Sequence, residues 1–307
     1  MPASAKVGKK AWLAPLVLVS GVAVALYSVA SFLFLTDGLG SLLRQLLSWQ
    51  GLVAVVLCGL GYLCRAARWV CWMRGFAPDL PMAPALHTYI CGFMLTPTPG
   101  NAGEALRGML LPEPRPSLVQ GATVFAAERL ADLAALVLLA LPVALHLLYA
   151  PRLGWLLFWG LLLAGGQAWG LWRRRGWLAD RWAGRLFWGD LLALLRQHPA
   201  RWAGLTLLAW AGQGLAAWLM AWQLGLDLGW LQASSDYAAA MVAGAASMLP
   251  AGLGGMEASY IALLRLRAVP LADAMALTLL VRLLTLWFAV ALGLLAFSTR
   301  RLVLRAS

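Results

Sequence analysis

Charged side chains are scarce in this sequence of 307 residues, and apolar side chains dominate it. Only 12% of the residues are Asp, Glu, Lys or Arg, whereas 62% are hydrophobic and the mean hydropathy is +0.78. A soluble globular domain has about a quarter charged residues and about half apolar ones. The composition therefore excludes a soluble enzyme, a disordered chain and a disulfide scaffold, and it predicts a protein embedded in a lipid bilayer.

Residues that carry metal or nucleotide chemistry are also few. The chain has four cysteines without paired spacing and three histidines that lie far apart in the sequence. It contains neither an H-E-x-x-H motif nor a G-x-x-x-x-G-K-[ST] motif. We therefore expect no metal site, no cofactor and no ATP hydrolysis through a P-loop, and we interpret the cysteines as small buried hydrophobic residues.

Six apolar stretches are each long enough to cross a bilayer, which requires about 20 residues. They are Ala11–Leu35, Leu46–Cys64, Ser117–Leu141, Leu153–Trp172, Trp202–Leu224 and Leu271–Phe297. These stretches predict an all-α polytopic membrane protein with about six full transmembrane helices. The first stretch is longer than the core of a signal peptide and lacks a clear cleavage site, so we expect it to be retained as a helix.

The 24 basic residues outnumber the 12 acidic ones, and most of them flank one side of the apolar stretches. The positive-inside rule predicts that this side, with both termini, is cytoplasmic. The excess implies anionic lipid headgroups as partners and does not require nucleic acid. The clusters are Lys6, Lys9 and Lys10; Arg65, Arg68 and Arg74; Arg173, Arg174, Arg175, Arg181 and Arg185; and Arg300, Arg301 and Arg305.

Two segments, Met82–Leu111 and Ser234–Leu264, are apolar but interrupted by proline and glycine. The interruptions lie at Thr96–Glu104 and Pro250–Glu257. Such clusters break helices, and broken backbone at membrane depth is tolerated only inside protein or along a polar cavity. We therefore predict two re-entrant helical hairpins.

The two hairpins resemble each other in spacing. Pro99 lies four residues before Gly103, and Pro250 lies four residues before Gly254. Each break ends in a glutamate that lies 25 residues before an arginine. Three full spans lie between the hairpins, so the second hairpin opens to the side opposite the first. The pattern predicts an inverted repeat, a construction that transporters use to place a binding site near the membrane midplane.

This organisation predicts a single membrane domain over residues 1–307. Residues 176–197 combine tryptophans and leucines with arginines, which is typical of an amphipathic helix on the cytoplasmic face. The expected parts are the N-terminal helices 11–80, the first repeat 81–150, the connecting spans 151–231 with that amphipathic helix, and the second repeat 232–299.

Arg129 and Arg282 fall in the middle of apolar stretches, where each costs about 2.5–3.5 kcal/mol on insertion scales. One interpretation is structural, with buried ion pairs that include Glu104, Glu257 and Asp132. The other is functional: the arginines hold an anionic group in a shared polar cavity, helped by the glycine-rich breaks. Both interpretations stay open, and we expect Asp236 to be an interfacial or capping residue. The candidate substrate-binding residues are Arg129, Arg282, Glu104, Arg107, Glu128, Asp132, Glu257, Pro99, Gly100, Gly103, Pro250, Gly252, Gly254 and Gly255.

These residues resemble the motifs of the lysylphosphatidylglycerol synthase transmembrane-region family, best known for the flippase domain of multiple peptide resistance factor. The resemblance covers nearly the whole chain, and one mild departure is Ala251, where the family often has glycine. The motifs are P-x-x-x-G-E-x-x-R at Pro99–Arg107, E-R-x-x-D at Glu128–Asp132, P-x-G-x-G-x-x-E at Pro250–Glu257, Arg282, and R-x-x-R-W at Arg65–Trp69.

The resemblance implies a translocase that moves a charged or glycosylated lipid across the bacterial inner membrane. It also implies lipid partners, either anionic phospholipids or polyprenyl-phosphate lipids, together with a glycosyltransferase or lipid-modifying enzyme and a second copy of the chain. Two alternatives stay open. One is an intramembrane enzyme such as a polyprenyl-diphosphate phosphatase, which would require a nucleophile near a base; the other is a noncatalytic membrane scaffold.

Overall fold

The structure is a computed structural model that describes residues 39–98, 101–111, 115–148, 182–247 and 249–306. Within these ranges the chain is helical and contains no strand, as the sequence predicts. The helices are α1 (Leu39–Leu46), α2 (Trp49–Arg74), α3 (Met82–Gly92), α4 (Leu118–Leu148), α5 (Trp182–Arg196), α6 (Pro199–Gln223), α7 (Trp230–Ala246), α8 (Gly255–Leu266), α9 (Leu271–Arg282) and α10 (Phe288–Ala306).

Four helical segments in the described ranges are long and apolar enough to cross a membrane. They are Trp49–Arg74, Leu118–Leu147, Pro199–Gln223 and Leu271–Arg300. They correspond to four of the six predicted spans, and the chain is a multi-pass membrane protein. The predicted spans Ala11–Leu35 and Leu153–Trp172 lie outside the described residues, so the count of six stays a prediction.

Helix α2 is longer than the sequence analysis predicts. The prediction ended the span at Cys64 and assigned the following arginines to the cytoplasmic surface, but the helix continues to Arg74. The earlier end was wrong, because Arg68 is only 1% exposed and lies inside the protein. The apolar residues that follow Arg68 continue the buried face of the helix, with Trp69, Val70 and Met73 in the core.

Helices α2 and α6 form a closely packed pair at the centre of the fold. A Cβ atom on Gly61 would lie 3.0 Å from the Ala209 carbonyl oxygen, and one on Gly212 would lie 3.3 Å from the Leu57 carbonyl oxygen. Small residues allow helix backbones to approach closely in membranes. This contact fixes the position of the arginines on α2 relative to the polar and aromatic residues of α6.

The two proline- and glycine-rich segments each form a helix, a break and a second helical piece. In the first, α3 and a 3-10 turn (Phe93–Leu95) lead into the break, and a second 3-10 segment (Ala102–Leu110) follows it. In the second, α7 and α8 flank the break, of which the structure describes residues 247 and 249–254. The helix–break–helix form agrees with the prediction, while the membrane depth of the two breaks stays a prediction.

Each hairpin packs against the long helix that follows the other hairpin. Helix α3 lies against α10, and α7 lies against α4. The first contact is especially close, because a Cβ atom on Gly293 of α10 would lie 2.4 Å from the Met94 backbone nitrogen. Such an exchange is what a two-fold repeat would produce, so it supports the predicted repeat, whose inverted orientation stays a prediction.

Part of the predicted amphipathic segment is described, and it is helical. Helix α5 covers Trp182–Arg196 and packs on α4, with Leu191 and Leu194 buried. Trp188 and Leu192 on the same helix are exposed. The helix therefore has one apolar face on the protein and further apolar side chains outside it, while residues 176–181 lie outside the described ranges.

Candidate functional site

Both breaks end in a glutamate that contacts the arginine 25 residues later. Glu104 Oε2 lies 3.6 Å from Arg129 Nη2, and Glu257 Oε1 lies 2.6 Å from Arg282 Nε. The equal spacing seen in the sequence thus corresponds to equivalent ion pairs in space. In each case the long helix after the hairpin is tied to the residue at which the break ends.

Arg107 is the central cation of the first half. Its Nη2 donates to Glu104 Oε2 at 3.0 Å and to Glu128 Oε2 at 2.8 Å. Its guanidinium carbon lies 4.4 Å from the ring centre of Tyr89. Arg107 is 1% exposed and Glu128 is fully buried. Charges removed from water in this way persist only when they are paired and hydrogen-bonded.

Helix α2 adds a third arginine to this group. Arg68 Nη1 donates to Asp132 Oδ1 at 2.8 Å and to the Thr206 hydroxyl at 2.7 Å. Arg129 Nη2 contacts the other oxygen of Asp132 at 3.1 Å. The result is a balanced group that we call the first ionic cluster. It consists of Arg68, Arg107, Arg129, Glu104, Glu128 and Asp132.

The second half has a single ion pair in the corresponding place. Besides contacting Glu257, Arg282 donates through Nη2 to the carbonyl oxygens of Ala251 and Gly252, at 3.3 and 3.2 Å. Glu257 also accepts a 2.7 Å hydrogen bond from the Gly254 amide. The arginine thereby binds two carbonyls of the break, of which that of Gly252 also accepts from the Met256 amide, while the glutamate caps the start of α8.

A π-helical turn directly after Arg282 shapes this end of the site. The turn covers Leu283–Trp287, and its widened spacing releases backbone carbonyl groups. The Tyr62 hydroxyl donates to the Thr285 carbonyl oxygen at 2.6 Å and contacts that of Leu284 at 3.2 Å. Helix α2 therefore stabilises the turn that follows Arg282.

The first break is held by threonine hydroxyls. The Thr98 hydroxyl donates to the Leu95 carbonyl at 2.9 Å and accepts from the Gly103 amide at 2.8 Å. A Cβ atom on Gly103 would lie 3.0 Å from both Leu95 and Thr98, so the turn has no room for a larger residue. The Thr96 hydroxyl donates to Glu104 Oε1 at 2.8 Å, which orients the carboxylate.

Arginines from both halves line one cavity of about 430 Å³. Its charged wall residues are Arg65, Glu104, Arg129, Asp132 and Arg282. Ligand sites are usually concavities of about 300–1,000 Å³ that combine a few polar groups with an apolar wall. The volume and lining are therefore suited to a small anionic group attached to an apolar molecule.

The cavity also has an apolar rim. Leu133 on α4 and Leu249 in the second break both line it, and they are 43% and 47% exposed. Phe125, Leu136 and Met241 extend the apolar wall inward. The cavity wall therefore combines charged residues with apolar ones that are exposed at the outside of the protein.

Sequence reasoning missed Arg65 as a site residue. Its guanidinium carbon lies 5.0 Å from the ring centre of Trp210 and 5.3 Å from that of Tyr62, and it lines the cavity. No carboxylate of the described ranges lies within 4 Å of it. The sequence feature that could have revealed Arg65 is the apolar run that resumes after Arg68. This run indicates that Arg65 and Arg68 both precede the end of the helix.

The predicted site residues fall into three positions. Arg129, Arg282, Glu104, Asp132 and Gly252 line the cavity. Arg107, Glu128 and Glu257 contact those residues from behind the wall. The remaining described ones, Gly103, Pro250, Gly254 and Gly255, belong to the breaks, whereas Pro99 and Gly100 lie outside the described residues.

Asp236 is not a capping residue, because the helix that contains it is capped at Gly229, while its interfacial position stays a prediction. The residue is fully buried, and both its oxygens accept hydrogen bonds from Arg267, one of them at 2.9 Å from Nη2 and the other from Nε. This pair joins α7 to the turn after α8, away from the cavity. The partners are 31 residues apart, so helical periodicity could not reveal the contact.

Carboxylates and thiols do not converge on a metal-binding group in the part of the chain that the structure describes. The Thr96–Glu104 contact has the geometry of a nucleophile and a base, but the two arginines beside Glu104 neutralise it. The carboxylate of Glu104 is therefore engaged in ion pairs as well as in the contact with Thr96. The geometry therefore favours binding of an anion over acid–base chemistry.

Comparison with known families gives one match. The family model described as Lysylphosphatidylglycerol synthase TM region matches residues 15–293. No curated protein and no solved structure matched the chain in the corresponding searches.

Proposed function

Because this chain belongs to the lysylphosphatidylglycerol synthase transmembrane-region family, we propose that it is a lipid translocase. It would move an anionic or glycosylated lipid, phospholipid or polyprenyl-phosphate-linked, across a bacterial inner membrane. The observation that carries this proposal is the single cavity lined by Arg129 from the first half and Arg282 from the second. Arginine suits this role, since its planar guanidinium binds phosphate oxygens in pairs.

The apolar rim supports a lipid rather than a soluble substrate. A phosphate in the charged interior would leave its acyl or prenyl chains next to Leu133 and Leu249, which are exposed to the outside. The headgroup would then cross the membrane inside protein while the chains remain in the hydrocarbon. Such an arrangement avoids the large cost of moving a charge through lipid.

The crossed packing of the hairpins supports alternating access. Helix α3 packs on α10, and α7 packs on α4. These two pairs form two units that meet at the cavity. Transporters built from inverted repeats rock such units around a fixed central site. We propose that these units open the cavity to each leaflet in turn, with both termini cytoplasmic and the two breaks at membrane depth. Glu104, Glu257 and Asp132 are the candidate proton carriers if a proton gradient drives the movement.

The test is translocation in liposomes that contain the purified protein. Headgroup-labelled phosphatidylglycerol and a labelled polyprenyl-phosphate sugar should move between leaflets faster than in empty vesicles. Arg129→Ala and Arg282→Ala should each lose most of this rate, whereas Arg201→Gln, which changes an exposed arginine on α6, should retain it. A wild-type rate equal to that of empty vesicles across the lipid panel would refute the proposal.

A further inference from the structure

Among the residues that the structure describes, the buried charges around the cavity do not balance. In the first ionic cluster the three cations and the three anions contact one another, and Arg282 is matched by Glu257. Arg65 adds one more positive charge to the same wall. The five arginines are Arg65, Arg68, Arg107, Arg129 and Arg282, and the four carboxylates are Glu104, Glu128, Asp132 and Glu257.

Asp132 attracts Arg65 electrostatically, and both residues line the cavity, but they form no ion pair within 4 Å. Its Oδ1 already accepts from Arg68 at 2.8 Å and from the Trp210 indole at 3.2 Å, and its Oδ2 contacts Arg129 at 3.1 Å. One carboxylate carries one negative charge, and Asp132 is already shared between Arg68 and Arg129, so it does not cancel the charge of Arg65 as well. The positive charge of Arg65 therefore remains available to a ligand.

The aromatic contacts of Arg65 hold it in place without cancelling its charge. Tyr62 is on the same helix one turn earlier, and Trp210 comes from α6. Cation–π contacts stabilise a desolvated guanidinium but leave its N–H groups free to donate. The Nε atom of Arg65 is buried and has no hydrogen-bond partner, which is costly for a charged donor.

A neutral donor lies one turn further along α6. Gln213 follows Trp210 by three residues, so the two side chains share a helix face, and Gln213 also lines the cavity. Its Oε1 accepts a 2.8 Å hydrogen bond from the Tyr237 hydroxyl. This contact orients the amide so that its nitrogen remains as a second donor in the cavity wall.

We propose that Arg65, with Gln213 beside it, binds the phosphate of a lipid that carries one negative charge, a phosphodiester. A phosphodiester has one negative charge and would neutralise the excess positive charge of the cavity wall. A phosphomonoester has about 1.5–2 negative charges and would leave an excess of negative charge. Arg129 and Arg282 then shape the cavity while remaining paired with their carboxylates. This inference rests on the proposed function and names the substrate class and the binding residue.

Native mass spectrometry of the delipidated protein tests the assignment. Phosphatidylglycerol should bind more tightly than phosphatidic acid, a phosphomonoester, and more tightly than zwitterionic phosphatidylcholine. In Arg65→Gln the affinity for phosphatidylglycerol should fall roughly ten- to hundredfold, and in Arg201→Gln it should not change. Soluble glycerophosphoglycerol, which has the diester but no acyl chains, should compete only at far higher concentration.

Arg65→Gln should fold, because it leaves no carboxylate without a partner. Its unfolding temperature should stay close to that of the wild type, because the lost cation–π contacts are offset by removal of the buried Nε donor that has no partner. Arg65→Lys provides a second variant that keeps the charge but loses the planar stacking. Its affinity for phosphatidylglycerol should lie between those of the wild type and Arg65→Gln. Unchanged binding in Arg65→Gln, a preference for phosphatidic acid, or equal competition by the soluble diester would overturn the inference.

The outcome is separable from that of the proposed function. If wild-type protein binds phosphatidylglycerol through Arg65 but translocates no lipid, the translocase proposal fails and the anion site stands. If translocation proceeds at the wild-type rate in Arg65→Gln, the Arg65 assignment fails and the translocase proposal stands.

Discussion

The two breaks carry the same glutamate–arginine spacing but have different surroundings. Glu104 belongs to a cluster of three arginines and three carboxylates, and its side chain is 5% exposed. Glu257 contacts Arg282 and the amide that it caps, and its side chain is 16% exposed. The first break is therefore embedded in a buried ionic network, whereas the second is tied by one pair and two long bonds to carbonyls.

This difference indicates which half is built to move. Opening the first cluster would separate several buried charges at once, which costs several kcal/mol for each ion left unpaired. Opening the Glu257–Arg282 pair exposes one carboxylate that water can already reach in part. The second break also has more backbone at positive φ, at Ala251 (52°), Gly252 (65°) and Gly254 (85°), whereas the described residues of the first break have one such position, Asn101 (55°). We expect the first break with its ionic cluster, called the fixed half below, to stay in place, and the second break with the Glu257–Arg282 pair, called the moving half, to rearrange locally.

The largest effect should follow from Arg107→Gln. The change leaves Glu104 and Glu128 without their shared cation in a buried site, so the free energy of unfolding should fall by about 3–5 kcal/mol. An SDS unfolding titration of the purified protein measures this value, with Arg201→Gln as the control. In the double variant Arg107→Gln/Glu128→Gln, part of the lost free energy of unfolding should be recovered. A loss below about 1 kcal/mol in the single variant would contradict a fixed first half.

A smaller loss should follow from Gly293→Ala, which tests the crossed packing of the first hairpin. The new Cβ atom would lie 2.4 Å from the Met94 backbone nitrogen, and overpacking against backbone costs about 3 kcal/mol. Gly189→Ala is the matched control, because a Cβ atom there meets nothing within 4 Å. The same titration applies, and equal stability of the two variants would show that α10 and the first hairpin do not touch at Gly293.

The smallest of the three losses should come from Arg282→Gln. The variant removes one ion pair, but Glu257 can be hydrated, so we expect a destabilisation of about 1.5–2 kcal/mol. Hydrogen exchange should increase in residues 247–257 and remain unchanged in residues 101–111. A loss as large as that of Arg107→Gln, or increased exchange in the first break instead, would reverse the assignment of the fixed and moving halves.

Much of this arrangement could be predicted from the sequence. Apolar length located four spans, proline and glycine located both breaks, and the 25-residue spacing identified Glu104–Arg129 and Glu257–Arg282 as equivalent pairs. Each of these signals is local or periodic, so a single sequence contains it.

What the sequence did not reveal depends on contacts between distant segments. Arg68 meets Asp132 across 64 residues and Asp236 meets Arg267 across 31, and neither pairing follows from helical periodicity. Arg65 was assigned to the membrane surface because its charge resembled a helix end. Only the packing of α2 on α6 shows that it faces the cavity without a carboxylate partner in the described residues.

The most direct measurement is a cryo-electron microscopy structure of the wild-type protein in nanodiscs of phosphatidylglycerol. The account predicts a phosphate within hydrogen-bonding distance of Arg65, in one cavity that Arg129 and Arg282 also line, with the acyl chains leaving past Leu133 and Leu249. Separate, dry environments for Arg129 and Arg282, or lipid phosphates bound only at the outer surface, would contradict it.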